Sequence, residues 1–94
     1  MICKQSFYKH GDLWTLLERT QAHALYRRGI NGTATWMVIT IGRRRSEVPL
    51  GDKFVMVNQE FLHLSERDYG VNTWQFPTPE EAEAKYNQLK NELN

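Results

Sequence analysis

The stretch Thr35–Ile41, with the sequence TWMVITI, is the strongest strand signal in the chain and decides the fold class. It is rich in β-branched residues and carries a Trp, a composition typical of a pleated strand. Alternation places Trp36 and Val38 on one face and Met37 and Ile39 on the other. Because neither face is polar, we expect the sheet to be covered on both sides or to offer its second face to a partner.

Three further strands are expected before this one. A short run at 5–9 leads into a turn at Gly11, which supplies the positive φ of a tight hairpin, and Leu13–Arg19 is the return strand. The third strand lies within Ala22–Arg28, and the Asn31–Gly32 pair predicts the next turn. Four strands joined by short turns make an antiparallel meander.

Beyond Ile41 the pattern weakens. Arg43–Arg45 open a segment that contains Pro49, Gly51 and Asp52, and we interpret this segment as irregular. Two brief apolar stretches follow, at 54–57 and 61–64, and these predict a small second hairpin.

Two short elements precede the C-terminal helix. Ser65 is placed to cap a single helical turn that contains Asp68 and is closed by Gly70. Trp74 and Phe76 then alternate with polar residues, as in a short strand that points both rings to one side.

The C-terminus predicts an amphipathic helix from Pro79 to about Leu93. Thr78 is the N-cap, Pro79 takes the first helical position and Glu81 completes a capping box. One apolar stripe is expected to face the sheet: Ala82, Tyr86, Leu89 and Leu93. The opposite face is expected to be in water: Glu80, Glu83, Lys85, Asn87 and Lys90.

These elements predict one α+β domain over residues 1–94. The expected architecture is an antiparallel sheet of four to five strands with the C-terminal helix packed on a face. The length of 94 residues allows one compact domain and a thin core, so each large aromatic side chain carries much of the stability.

The sequence predicts no catalytic residue, no metal site and no cofactor. The single Cys3 cannot form an internal disulfide, and no Cys and His cluster has zinc-site spacing. His10, His23 and His63 are far apart in sequence and lie in no nucleophile signature. The carboxylates within 80–83 are explained by the first turn of the helix, where the dipole favours them.

We expect a cytoplasmic protein that does not associate with membranes. The N-terminal stretch Met1–His10 is charged and polar, and no apolar run approaches the roughly 18 residues that would span a bilayer.

The basic residues suggest a nucleic-acid surface. The net charge is +1, but residues 1–45 hold eight Lys and Arg against two acids, and residues 46–94 hold four against nine. Two groups end neighbouring predicted strands: Arg27 and Arg28, and then Arg43, Arg44 and Arg45. If those strands pair antiparallel, the two groups lie at opposite ends; on a common edge they would form one phosphate-binding patch.

Aromatic residues suggest a protein interface instead. Trp14, Tyr26, Trp36, Trp74 and Phe76 exceed the evident need of a thin core, and Trp, Tyr and Arg dominate binding hot spots. Together with the Arg groups, Trp36 is therefore a candidate interaction residue.

Several turn, sheet and cap positions carry a resemblance that spans most of the chain. They are Gly11, Trp14, Leu16, Ala24, Leu25, Tyr26, Arg27, Trp36, Val38, Ile39, Glu66, Tyr69, Gly70, Trp74, Phe76, Glu81 and Ala82. In this pattern the chain resembles small accessory proteins encoded by bacteriophages and other mobile elements. The resemblance implies a short factor that binds a host protein, a class that includes inhibitors of bacterial defence systems.

The function we expect is therefore non-enzymatic protein binding, with a host protein as the partner. Nucleic-acid binding through the Arg groups is the alternative, and an enzymatic role ranks third. A homodimer is expected if the segment from Phe54 to Leu64 leaves the second sheet face exposed.

Overall fold

The computed structural model describes residues 4–30 and 33–92 and has an α+β architecture. Its elements in chain order are β1 (Ser6–Lys9), β2 (Asp12–Arg19), β3 (His23–Ile30), β4 (Thr33–Leu50), β5 (Lys53–Leu62), a 3-10 turn (Glu66–Asp68), β6 (Thr73–Phe76) and α1 (Pro79–Glu92). The strand order is β1-β2-β3-β4-β5, and β6 also pairs with β4. The predicted antiparallel sheet with a C-terminal helix is confirmed, with six strands in place of four or five.

The first hairpin forms where the sequence places it. Lys9 pairs with Asp12 across a two-residue loop, and both loop residues have positive φ, 54° at His10 and 80° at Gly11. Two positive φ values are the signature of a type I′ turn, whose twist matches that of the flanking strands. The next predicted turn, Asn31–Gly32, lies outside the described residues, but β3 and β4 pair on both sides of it.

β4 is the longest strand and organises the molecule. Its first half pairs with β3 from Thr33 to Thr40 on one edge, and with β6 on the other. Its second half, Ile41–Leu50, pairs with β5. We call residues 43–60 the arm and the rest of the described chain the body. The radius of gyration is 14.8 Å, against about 12 Å for a compact chain of this length, because the arm projects from the body.

The expectation of an irregular segment after Arg43 is wrong. Residues 43–50 continue β4, and Gly51 with Asp52 forms a two-residue loop that closes the Leu50–Lys53 pair. Gly51 has a φ of 63°, and a positive φ at the first loop position is typical of a type II′ turn. The second hairpin is therefore much larger than predicted, since one continuous strand, β5, replaces the two apolar stretches.

The helix packs on one face of the sheet through the predicted stripe. Leu25 and Val38 from the sheet are buried against Ala82 and Tyr86 of α1. Partly buried side chains complete this cluster: Trp36, Trp74, Phe76 and Leu89. The alternation of Trp74 and Phe76 is thereby confirmed, whereas Leu93 lies outside the described residues.

The start of the helix is also confirmed. The Thr78 hydroxyl accepts a hydrogen bond from the Glu81 backbone N–H at 3.4 Å and donates to the Glu81 carboxylate at 3.2 Å. One residue of the predicted water-facing side is different: Lys85 is half-buried, with Nζ 4.5 Å from the centre of the Trp74 ring. The ammonium group therefore lies over the face of the ring, as in a cation–π contact.

The opposite face of the sheet is buried as well. Its cluster comprises Trp14, Ala24, Tyr26, Met37, Ile39, Ile41 and Leu62, with Phe7, Leu16 and Leu64 packed against it. Phe7 on β1 stacks on Trp14 at 5.4 Å and meets Tyr26 edge-on at the same distance. Of the segment 54–64, only its end contributes to this core. The second face is therefore buried, with Phe7, Trp14 and Leu16 of β1 and β2 in its cluster, and among the described residues it offers no exposed apolar surface for a dimer.

The predicted turn after Ser65 is a 3-10 turn. The Ser65 backbone N–H and hydroxyl both donate to the Asp68 carboxylate, at 3.0 and 2.6 Å, and Gly70 has a φ of 84°. Among the described residues, no helix is long and apolar enough to cross a membrane.

Candidate functional site

Three large apolar side chains are exposed at the tip of the arm, near the Gly51–Asp52 loop. Leu50, Phe54 and Met56 retain 67%, 67% and 53% of their accessible surface. Phe54 and Met56 are two residues apart and lie on the same face of the two-stranded ribbon. Leu50 lies on the other face beside the half-buried Val48 and Val55. A thin ribbon cannot bury these groups by itself, because it has no second layer.

The two long edges of the arm differ in chemistry. Ile41 donates its backbone N–H to Ala22 in the body, so odd-numbered residues of β4 point their N–H and C=O groups away from β5. These outward positions are Arg43, Arg45, Glu47 and Pro49. Charged side chains and a proline, which has no N–H to offer, are the usual protection of a sheet edge.

The outer edge of β5 lacks this protection from Phe54 to Asn58. Here the even-numbered residues point their backbone groups away from β4, and those in the arm are Phe54, Met56, Asn58 and Glu60. Residues 54–59 read FVMVNQ, which contains no charge, no proline and no glycine. An exposed apolar edge of this length is a template for pairing with another strand.

Polar contacts fix the base of the arm to the body. The Glu60 carboxylate accepts hydrogen bonds from Arg19 at 2.7 and 3.0 Å and from Arg43 at 3.2 Å. The hydrogen bond from Arg19 is the main reason that the pKa of Glu60 is lowered. Arg43 also donates to the backbone carbonyl of Gln21. These contacts hold the direction in which the arm leaves the body.

A glycine permits close packing at the same junction. A Cβ at Gly42 would overlap the Phe61 ring and lie 2.8 Å from Nε2 of His63. The Phe61 and His63 rings contact each other at 4.8 Å between centroids. The guanidinium of Arg44 lies 5.4 Å from the centre of the Phe61 ring.

The two Arg groups lie far apart along the sheet, as the antiparallel alternative requires: Arg27 and Arg28 pair with the first residues of β4, and Arg43–Arg45 lie near its middle. Arg28 is opposite Thr35, and Arg43 is eight residues further along β4, a separation of about 26 Å at strand spacing. Arg28 is bound to the Asp12 carboxylate at 2.8 Å and lies 5.0 Å above the Trp14 ring. The two groups therefore do not form one patch.

Three of the five arginines already have partners within the protein. Arg28, Arg43 and Arg44 make the contacts given above, while Arg27 and Arg45 are exposed and make no ion pair with any described residue. Trp36, the remaining candidate, is half-buried beneath the helix.

The histidines do not converge. His63 Nδ1 lies 3.4 Å from Asp68, and Asp68 has its pKa lowered to about 2, chiefly by hydrogen bonds from Ser65 and Asn72. Burial lowers the pKa of His23, which lies at the start of β3. Within residues 4–30 and 33–92, no group of three His, Cys, Asp or Glu side chains could hold a metal ion.

Sequence reasoning missed the arm, although a signal for it is present. Gly51–Asp52 is a two-residue Gly-Asp loop, a composition typical of a tight hairpin turn, and the run FVMV follows it. Comparison with protein-family models, with curated proteins and with solved structures gives no match to this chain.

Proposed function

We propose that this chain is a non-enzymatic protein-binding module that contacts its partner through the tip of the arm. The observation that carries the proposal is the exposure of Leu50, Phe54 and Met56 on a projecting two-stranded ribbon. Removing exposed apolar residues from water lowers the free energy, so a partner that covers the tip is bound favourably. The anchored base supports the same proposal, since its ion pairs fix the direction in which the tip is presented to a partner.

Nucleic-acid binding remains the alternative, and the geometry gives it less support. The Arg groups are about 26 Å apart, and Arg28 and Arg43 are already paired with carboxylates. The arm also carries Glu47, Asp52 and Glu60 among its basic residues. Such mixed charge weakens the field that attracts phosphates.

A host protein as the partner, and inhibition of that protein, are proposed from the resemblance to phage and mobile-element proteins. They go beyond what the arm supports by itself, which is binding to an apolar surface. The origin of the chain and the absence of enzymatic activity stay predictions.

Capture from a host-cell lysate tests the proposal. Immobilised Leu50→Ser/Phe54→Ser protein should bind its partner at least about tenfold more weakly than wild type does. This factor corresponds to a loss of about 1.4 kcal/mol of binding free energy. Leu13→Ser/Leu17→Ser is the matched control, because it removes two exposed leucines from β2 in the body. Equal loss in both variants, or retention by the tip variant, would contradict the proposal.

A salt titration separates the alternative. We expect wild type to bind duplex or single-stranded DNA no more tightly than tens of micromolar at physiological salt, as in non-specific contact. A sub-micromolar complex with a steep salt dependence, lost in Arg44→Ser/Arg45→Ser, would instead establish nucleic-acid binding. These two arginines are chosen because neither holds the base of the arm through an ion pair.

A further inference from the structure

The unprotected outer edge of β5 offers backbone groups as well as side chains. The N–H and C=O groups of Phe54, Met56 and Asn58 point away from β4, and the register gives them no partner in the described part of the chain. The opposite edge of the same ribbon carries Pro49 and three charged residues. This contrast indicates that pairing is blocked on one edge and open on the other.

We propose that the edge is occupied by a second copy of this chain, with β5 pairing antiparallel to β5 about a two-fold axis. This deepens the proposed function, on which it rests, by naming a partner for the same arm. Antiparallel strand addition satisfies the free backbone groups of both copies at once, and an isologous contact closes after two copies.

One two-fold register suits the side chains. If the axis passes between the two copies of Val55, then Phe54 of each copy lies opposite Met56 of the other, on one face of the new four-stranded ribbon. Lys53 then lies opposite Val57, and Asp52 opposite Asn58, so that no like charges face each other. The four apolar side chains of Phe54 and Met56 form a continuous cluster.

Registers shifted toward the body are worse. A shift that places Met56 opposite its own copy also brings Asp52 opposite Glu60, which is a pair of like charges. A further shift of the same size places the Phe54 ring opposite Glu60, whose carboxylate is already bound to Arg19 and Arg43. Charge and hydropathy therefore favour the register centred on Val55 over both of these shifted registers.

The shape of the molecule permits this pairing. β5 runs from the tip at Lys53 toward the body at Leu62, so antiparallel arms overlap at their tips and hold the two bodies at opposite ends. Contact is confined to roughly seven residues of each arm, about 23 Å of strand. An interface this small is expected to be weak, in the micromolar range.

Sedimentation equilibrium with a matched pair of proline variants tests the proposal. Met56 and Glu47 face each other in the arm, and each points its N–H outward, Met56 from β5 and Glu47 from β4. Met56→Pro should weaken the dimer by at least about tenfold because it removes a donor from the pairing edge. Glu47→Pro removes the same donor from the other edge and should leave the dimer unchanged.

Disulfide trapping keeps the test decisive if a proline disturbs the arm. In a Cys3→Ser background, Val55→Cys places two thiols across the two-fold axis in a non-hydrogen-bonded pair, where Cβ atoms are close enough to bridge. Val57→Cys faces Lys53 and should not cross-link. We expect covalent dimer from Val55→Cys at tens of micromolar protein, and little from Val57→Cys.

A wild-type protein that stays an 11.1 kDa monomer at several hundred micromolar and gives no Val55→Cys dimer would overturn the inference. So would a dimer that is equally sensitive to Glu47→Pro and Met56→Pro. If such a monomer still loses its host partner on Leu50→Ser/Phe54→Ser substitution, this inference fails and the proposed function stands.

Discussion

Removing the hydroxyl group from each of two buried tyrosines should change the stability of the protein in opposite directions. Tyr26 and Tyr86 are 0% and 1% exposed. The Tyr26 hydroxyl donates a hydrogen bond to the Lys4 carbonyl, whereas the Tyr86 hydroxyl has no hydrogen-bond partner among the described residues. A buried hydroxyl without a partner opposes folding, because it gives up its water and gains nothing in return.

Tyr86→Phe should therefore stabilise the protein, by about 1 kcal/mol, the lower end of the cost of an unsatisfied buried group. Tyr26→Phe should destabilise it by about 1 kcal/mol through the lost hydrogen bond. Urea unfolding followed by tryptophan fluorescence measures both, and a difference of about 2 kcal/mol should separate the midpoints by about 1 to 2 M.

The pH dependence gives a second reading of the same site. Burial, assisted by Glu18, raises the pKa of Tyr86. Because the pKa is raised in the folded state, ionisation of Tyr86 favours the unfolded state. The free energy of unfolding therefore keeps its full value below about pH 10, where the unfolded tyrosine ionises, and decreases as pH rises further. Tyr86→Phe should lack this share of the alkaline loss. A Tyr86→Phe variant that is less stable than wild type at pH 7 would refute the reasoning.

Three further predictions concern the helix, a buried ion pair and the 3-10 turn. Leu89→Ala should lower the free energy of unfolding in urea by about 1 to 2 kcal/mol, less than the loss for a fully buried leucine. A loss below about 0.5 kcal/mol for this variant would mean that the helix is not docked. Thr78→Ala should cost about 1 kcal/mol because it removes the helix cap. Asp12→Asn should cost about 2 kcal/mol because it leaves the Arg28 charge half-buried without its carboxylate, and an unchanged thermal midpoint would contradict this. Asp68, with its pKa lowered to about 2, contributes stability that is present above its ordinary pKa of 3.8 and is lost as pH falls through about 2; acid titration of Asp68→Asn, followed by circular dichroism, should lack that loss.

Local signals in the sequence predicted the body well. Gly11 marks the first turn, the alternation at 35–41 gives the two buried faces, and Thr78 with Pro79 starts the helix. Each of these depends on a residue and its immediate neighbours, so each can be interpreted without knowing the partner strand.

The arm depends on non-local facts. Pro49 and Gly42 are strand-breaking residues by composition, yet Pro49 lies where its missing N–H would face outward, and Gly42 leaves room for the Phe61 ring. Both conditions need the register of β4 against β5, which no single segment specifies. Whether the two Arg groups form one patch also depends on non-local pairing, because the register of β3 against β4 is what separates them.

The shared strand β4 implies that one continuous piece of backbone has two levels of protection against hydrogen exchange. Around Trp36–Ile39 it is paired on both edges and lies over both cores, so these amides should exchange only when the whole domain unfolds. From Arg43 onward it belongs to a two-stranded ribbon, which is marginally stable by itself and can open while the body stays intact. Gly42 therefore marks the boundary of a unit that can melt and re-form independently of the domain that carries it.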